Sequence, residues 1–129
     1  MENEKFKNTN QNSKLDIKIR AYRFALRIIT LIDSLSNCRA NIVIGDQLIR
    51  SATSIGANII EAQSASSKKD FKNFLNHSLK SANETKFWLA LLRDSGKKST
   101  DEINPLLNET RELANILASS ILTLKNKRL

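Results

Sequence analysis

Apolar residues recur at helical spacing along most of this chain, and one stretch sets the frame for the rest. Between positions 47 and 61, Leu48, Ala52, Ile55 and Ile59 follow one another at steps of four, three and four. An α-helix turns once in about 3.6 residues, so these side chains share a face. Beside them Gln47, Ser51, Ser54, Asn58 and Glu61 repeat in the same way. A face turned to water would carry long charged side chains. Short polar ones let a neighbouring helix come close, and their hydroxyls and amides then need partners. The pattern predicts an enclosed, central helix over residues 41–63. Gly56 inside it costs about 1 kcal/mol relative to Ala, which a close helix crossing would explain.

Three more helices flank it. Over residues 14–35, one seam is built of Ile17, Ala21, Phe24, Ile28, Leu31 and Leu35. A second seam of Leu15, Ile19, Tyr22, Leu26 and Ile29 lies nearly opposite. A helix apolar on two sides has to bury both, so the second seam predicts contact with a partner helix or another subunit. Residues 36–40 read as a connection and residues 64–67 as a short polar break. The next helix is expected over residues 68–94, where Ser67 and Asp70 form a capping-box pattern and Ser95-Gly96 a stop. Its apolar face carries Phe71, Leu75, Ala82 and Leu89, widened by Phe74, Trp88 and Leu92. Ser99 and Glu102 repeat the capping pattern before the last helix, whose core face holds Ile103, Leu106, Leu113, Leu117, Ile121 and Leu124. Pro105 near its start predicts a separate first turn or a kink. Four long helices on short connections predict an all-α, up-down-up-down antiparallel four-helix bundle. Residues 1–13 are polar and read as a disordered tail, leaving one domain over 14–129. The basic end, 125–129, reads as a fraying terminus.

Charge adds a direction to this picture. The 129 residues carry a net charge of +8, which favours an anionic partner, nucleic acid first and an anionic membrane surface second. Arg20, Arg23 and Arg27 lie together on one flank of the first helix. Their stems could equally cover apolar surface at a solvated edge. Lys68, Lys69 and Lys72 crowd the first turn of the third helix, where the helix dipole prefers acids; a merely solvated cluster is the plainer alternative. No apolar run is long enough to span a membrane, no signal core precedes the helices, and Cys38 stands alone, so a reducing, cytoplasmic setting is expected.

Catalytic chemistry is thinly represented. His77 is the only histidine and Cys38 the only cysteine, so no metal cluster of either type is expected. The three glycines are isolated, and no phosphate-binding loop can be drawn from them. Glu61 and Glu84 fall among small or apolar neighbours, and Arg50 is the long cation beside the polar seam of the second helix. An ion pair from Arg50 to one of these carboxylates is therefore expected. No cofactor is implied.

The run Gln47-Leu-Ile-Arg-Ser-Ala-Thr-Ser-Ile-Gly-Ala-Asn-Ile-Ile-Glu61, then Asp70-Phe71, then Ser81-Ala-Asn-Glu-Thr-Lys-Phe-Trp-Leu89, resembles the four-helix-bundle family named for the 23S ribosomal RNA intervening-sequence proteins. That family includes the accessory variability proteins of diversity-generating retroelements. The resemblance covers about residues 17–124. Common members have Pro at Gly56 and Glu-Gly at Glu61-Ala62, and many have Gly at Lys80; these departures touch packing positions. The resemblance implies a homopentamer of four-helix protomers. For the retroelement branch it implies a basic barrel that binds a reverse transcriptase and nucleic acid. It carries over no catalytic residues, and it makes Arg50, Asn58, Glu61 and Glu84 polar contacts that fix the bundle. The expected function is that of a non-enzymatic basic homo-oligomer binding RNA, DNA or a nucleoprotein. The alternative is a protein-interaction scaffold whose charge serves solubility.

Overall fold

The computed structural model describes residues 17–127, with the side chains of 17–125. It contains four helices: α1, Ile17–Asp33; α2, Arg39–Gln63; α3, Lys68–Asp94; and α4, Thr100–Lys127. They pack as a compact bundle in which α2 lies against α1 and α3, and α4 lies against α3 and, least closely, α1. No strand occurs among the described residues.

The ends of these helices follow from local chemistry. At α3 the Ser67 hydroxyl accepts the Asp70 backbone N–H at 3.1 Å, while Asp70 Oδ2 accepts a hydrogen bond from Ser66 Oγ at 2.9 Å. At α4 the box is reciprocal in its side chains: Ser99 Oγ accepts the Glu102 N–H at 3.2 Å and donates to Glu102 Oε1 at 3.0 Å. Helix α3 stops at Gly96, whose φ of 76° lets the chain reverse. The Lys97 N–H then reaches back to the Leu92 carbonyl and the Gly96 N–H to that of Arg93.

Two boundaries differ from the sequence expectation. Helix α1 ends at Asp33 rather than 35, because the N–H groups of Ser34 and Leu35 turn to carbonyls three residues back, at Leu31 and Ile32. Residues 14–16, where the helix was expected to begin, lie outside the described residues, as does the expected tail at 1–13. Helix α2 starts at Arg39 rather than 41, since the Ile42 N–H already bonds the Cys38 carbonyl at 3.0 Å. Pro105 stays inside a continuous α4. It removes one N–H, the one that would bond the Asp101 carbonyl, and both residues are exposed, so water can satisfy that oxygen.

The core is the predicted inner seam of each helix. Phe24, Ile28, Leu48, Ile55, Leu89, Leu92, Ile103, Leu113 and Leu117 are all but fully enclosed. Between α2 and α3 the short polar side chains meet. Ser78 donates to the Ile55 carbonyl at 2.8 Å, and the hydroxyls of Ser81 and Ser54 lie 3.0 Å apart. The Thr85 hydroxyl is 2.9 Å from Ser51 Oγ and 2.7 Å from the Ser81 carbonyl. One hydroxyl proton serves one acceptor, so Thr85 gives its proton to one of these oxygens. If the carbonyl takes it, the bond to Ser51 uses the proton of Ser51. As the index falls along α3 from Thr85 to Ser78 it rises along α2 from Ser51 to Ile55, so these helices run in opposite directions. The crossing expected at Gly56 is between α1 and α2: a Cβ there would sit 3.4 Å from that of Ala21.

Candidate nucleic-acid interface

Lys68, Lys69 and Lys72 project from the first turns of α3. With Asn73 and with Leu124 of α4 they line a surface cavity of about 520 Å³. Among the described residues none of the three forms an ion pair. The Asp70 carboxylate, the acid between them, accepts from Ser66 Oγ and forms no ion pair with these lysines. The lysines gain nothing from the positive end of the helix dipole, so they form a patch of uncompensated charge beside an opening. Lys125, exposed on α4, follows Leu124 in the chain.

The three arginines of α1 do not form one surface. Arg20 is turned onto α4: its Nε donates to Glu109 Oε2 at 3.1 Å, and its Nη2 donates to Glu109 Oε1 at 2.7 Å and Glu112 Oε1 at 2.8 Å. The hydrogen bond to Glu109 holds its proton more firmly than usual; partial burial opposes this and Glu112 adds to it. Arg20 is thus a tie between α1 and α4 rather than a phosphate contact, which corrects the sequence expectation. Its partners lie 89 and 92 positions away, beyond the reach of any single-helix pattern. Arg23 is half-buried, and Arg27 is exposed beside a smaller opening of about 410 Å³ that it shares with Glu102 and Pro105. Arg20→Gln is expected to lower the unfolding free energy by about 1.5–3 kcal/mol, the range for hydrogen bonds to charged groups. Urea denaturation checks this, and an unchanged midpoint would show that the tie carries no stability.

The polar seam of α2 also departs from expectation in part. Ser54 accepts from Ser81, and Asn58 Nδ2 donates to the Ser54 carbonyl and hydroxyl, both at 2.9 Å. Gln47 is half-buried and makes no side-chain hydrogen bond among the described residues. Arg50, Glu61 and Glu84 are all exposed, and no ion pair joins Arg50 to either carboxylate. Arg50 and Glu61 share a direction but stand about 16 Å apart along the axis, at 1.5 Å per residue. Glu84 instead accepts the Trp88 indole N–H at 3.0 Å.

On the outer seam of α1, Tyr22, Leu26 and Ile29 are 44%, 49% and 38% exposed. Ile19, placed on the same seam by spacing, is buried; it sits at the edge of the seam and the protomer itself covers it. Leu15 lies outside the described residues. Spacing did not single out Phe87, which is the more exposed at 58%; its signal was an aromatic residue one step off the apolar face of α3.

Cys38 precedes α2 and offers it no side-chain cap. The Asn41 backbone N–H lowers its thiol below the usual range, against a smaller desolvation effect. His77 is exposed. No group of three metal-ligating side chains occurs among the described residues, and no helix there is long and apolar enough to cross a membrane.

The 23S rRNA-intervening sequence protein family matches residues 13–119. The chain belongs to that family. A solved structure from Bacteroides thetaiotaomicron, described as a protein of unknown function from the S23 ribosomal protein family, is similar to this intervening-sequence family member. The two are 41% identical, with 81% of this chain and 97% of that one covered and a TM-score of 0.77. No curated protein matches this member of the family.

Proposed function

We propose that this member of the 23S rRNA-intervening sequence protein family is a non-enzymatic, cytoplasmic basic protein that binds nucleic acid or a nucleoprotein, a reverse transcriptase complex among the candidates. Its protomer is an up-down-up-down bundle that assembles into a closed homo-oligomer. The observation that carries the binding is the group Lys68, Lys69 and Lys72, in no ion pair among the described residues and gathered at an opening between α3 and α4. Binding of this kind reads phosphates, follows the release of counterions and has little sequence preference. The assembly rests on Tyr22, Leu26 and Ile29, which the protomer leaves open to solvent; the family resemblance suggests five subunits.

Titrating labelled RNA with the purified protein across a salt series tests the binding. Replacing Lys68, Lys69 and Lys72 by Gln is expected to flatten the plot of log affinity against log salt by about 1 for each phosphate that is no longer neutralised. If the wild type binds no RNA or DNA even at low salt, the reading fails, and a protein-interaction scaffold with solubilising charge replaces it.

A further inference from the structure

The basic start of α3 does not end with its first turns. On the outward face of the same helix, Lys69, Asn73, Asn76, Lys80, Asn83 and Phe87 follow at steps of four, three, four, three and four. This is one line of side chains, about 27 Å long at 1.5 Å per residue. Asn76 is half-buried and the other five are exposed. The three asparagine amides make no side-chain hydrogen bonds among the described residues, and neither lysine is in an ion pair there. Of the three acids on α3, Asp94 is paired with Arg93, and neither Asp70 nor Glu84 forms an ion pair with Lys69 or Lys80.

At the far end the line finishes on an aromatic ring. Phe87 is 58% exposed, yet it is held in place. The Trp88 ring meets it edge to face, with centroids 4.9 Å apart and planes at 77°. Trp88 is in turn fixed by its hydrogen bond to Glu84. Phe87 therefore leaves aromatic surface open to solvent beside a second ring, which a solubilising surface has no use for. Lysines that track phosphates, free amides that can pair with base edges and an aromatic face that can stack are the groups that recognise an unpaired strand.

Pairing separates a single strand from a duplex. In a duplex the base faces are stacked and most base edges are paired, whereas an unpaired strand can splay its bases onto amides and an aromatic ring. A flexible strand can lie along the helix.

Resting on the nucleic-acid reading above, we infer that the outward face of α3, from Lys69 to Phe87, binds single-stranded nucleic acid in preference to duplex, with a base stacked on Phe87. The test uses the full-length protein, a labelled single-stranded RNA of about twelve nucleotides and the same sequence as a duplex, compared by fluorescence anisotropy across a salt series. The single strand is expected to bind more tightly. Phe87→Leu, which keeps apolar bulk but loses the aromatic face, is expected to weaken it by about tenfold, within the range of base–aromatic stacking, while Phe87→Tyr retains binding. Duplex affinity is expected to be unmoved by either change. Replacing Lys69 and Lys80 by Gln is expected to reduce the single-strand salt slope by about 0.7 for each. Equal affinity for both forms with Phe87→Leu silent overturns this inference and leaves the general electrostatic reading standing. A change in particle mass with Phe87→Leu makes the face a protein contact and overturns it too. No binding of either RNA at low salt overturns both readings.

Discussion

Phe24→Ala is expected to lower the unfolding free energy by about 3–5 kcal/mol, the usual cost of removing a large aromatic side chain from a packed core. Phe24 is 1% exposed and joins the same apolar cluster as Ile28, Leu48 and Ile55. The transition should move down by roughly 10–20 °C, since 1 kcal/mol shifts a domain of this size by about 3–5 °C. Leu26→Ala, two residues along the same helix, is a sharper control than a distant site. Leu26 is half open to solvent in the protomer, so its loss leaves no cavity within the bundle. Circular dichroism melts of both variants, taken at a concentration low enough to dissociate any assembly, make the comparison. Equal shifts would mean that the two seams of α1 are not divided between core and exterior.

Leu26→Glu combined with Ile29→Lys is expected to reduce the native particle to a single 14.6 kDa chain that keeps its helical signal. Fully burying a side chain of this size contributes about 1.5–3 kcal/mol, and each subunit of a ring repeats the contribution. Charges placed on the seam remove it and add the cost of desolvating two ions, which their mutual attraction at i,i+3 only partly offsets. Static light scattering decides the outcome. A wild-type protein already monodisperse at the mass of one chain in micromolar solution would end the proposal of a closed oligomer. A variant that loses its helical signal would place these side chains inside the fold instead.

Periodicity carried most of the fold because it reports direction around a helix. Leu48, Ala52, Ile55 and Ile59 share an angle, and the structure buries all four. The small polar seam beside them was legible for the same reason, down to the need for partners, which Ser81 and Thr85 supply to Ser54 and Ser51. Angle without height is also why the expected Arg50 pair failed. Arg50 and Glu61 point the same way but stand three turns apart, out of reach of one another. Arg20 escaped for a different reason. A flank of three arginines looks uniform on one helix, and only the docking of α4 reveals that Glu109 and Glu112 have taken the first of them. The lysines at the start of α3 were visible as charge in the wrong place for a helix dipole. The opening they line was not, since Leu124 comes from another helix.

The Arg20 tie has a mechanical consequence. Helices α2 and α3 are fastened by neutral hydroxyls, those of Ser51, Ser78 and Thr85 buried, whereas α1 and α4 pack least closely and meet through a charged cluster that water can reach. Salt screens exposed charges and leaves buried neutral bonds untouched. The two seams are therefore expected to differ in compliance, the α1–α4 seam alone loosening as ionic strength rises.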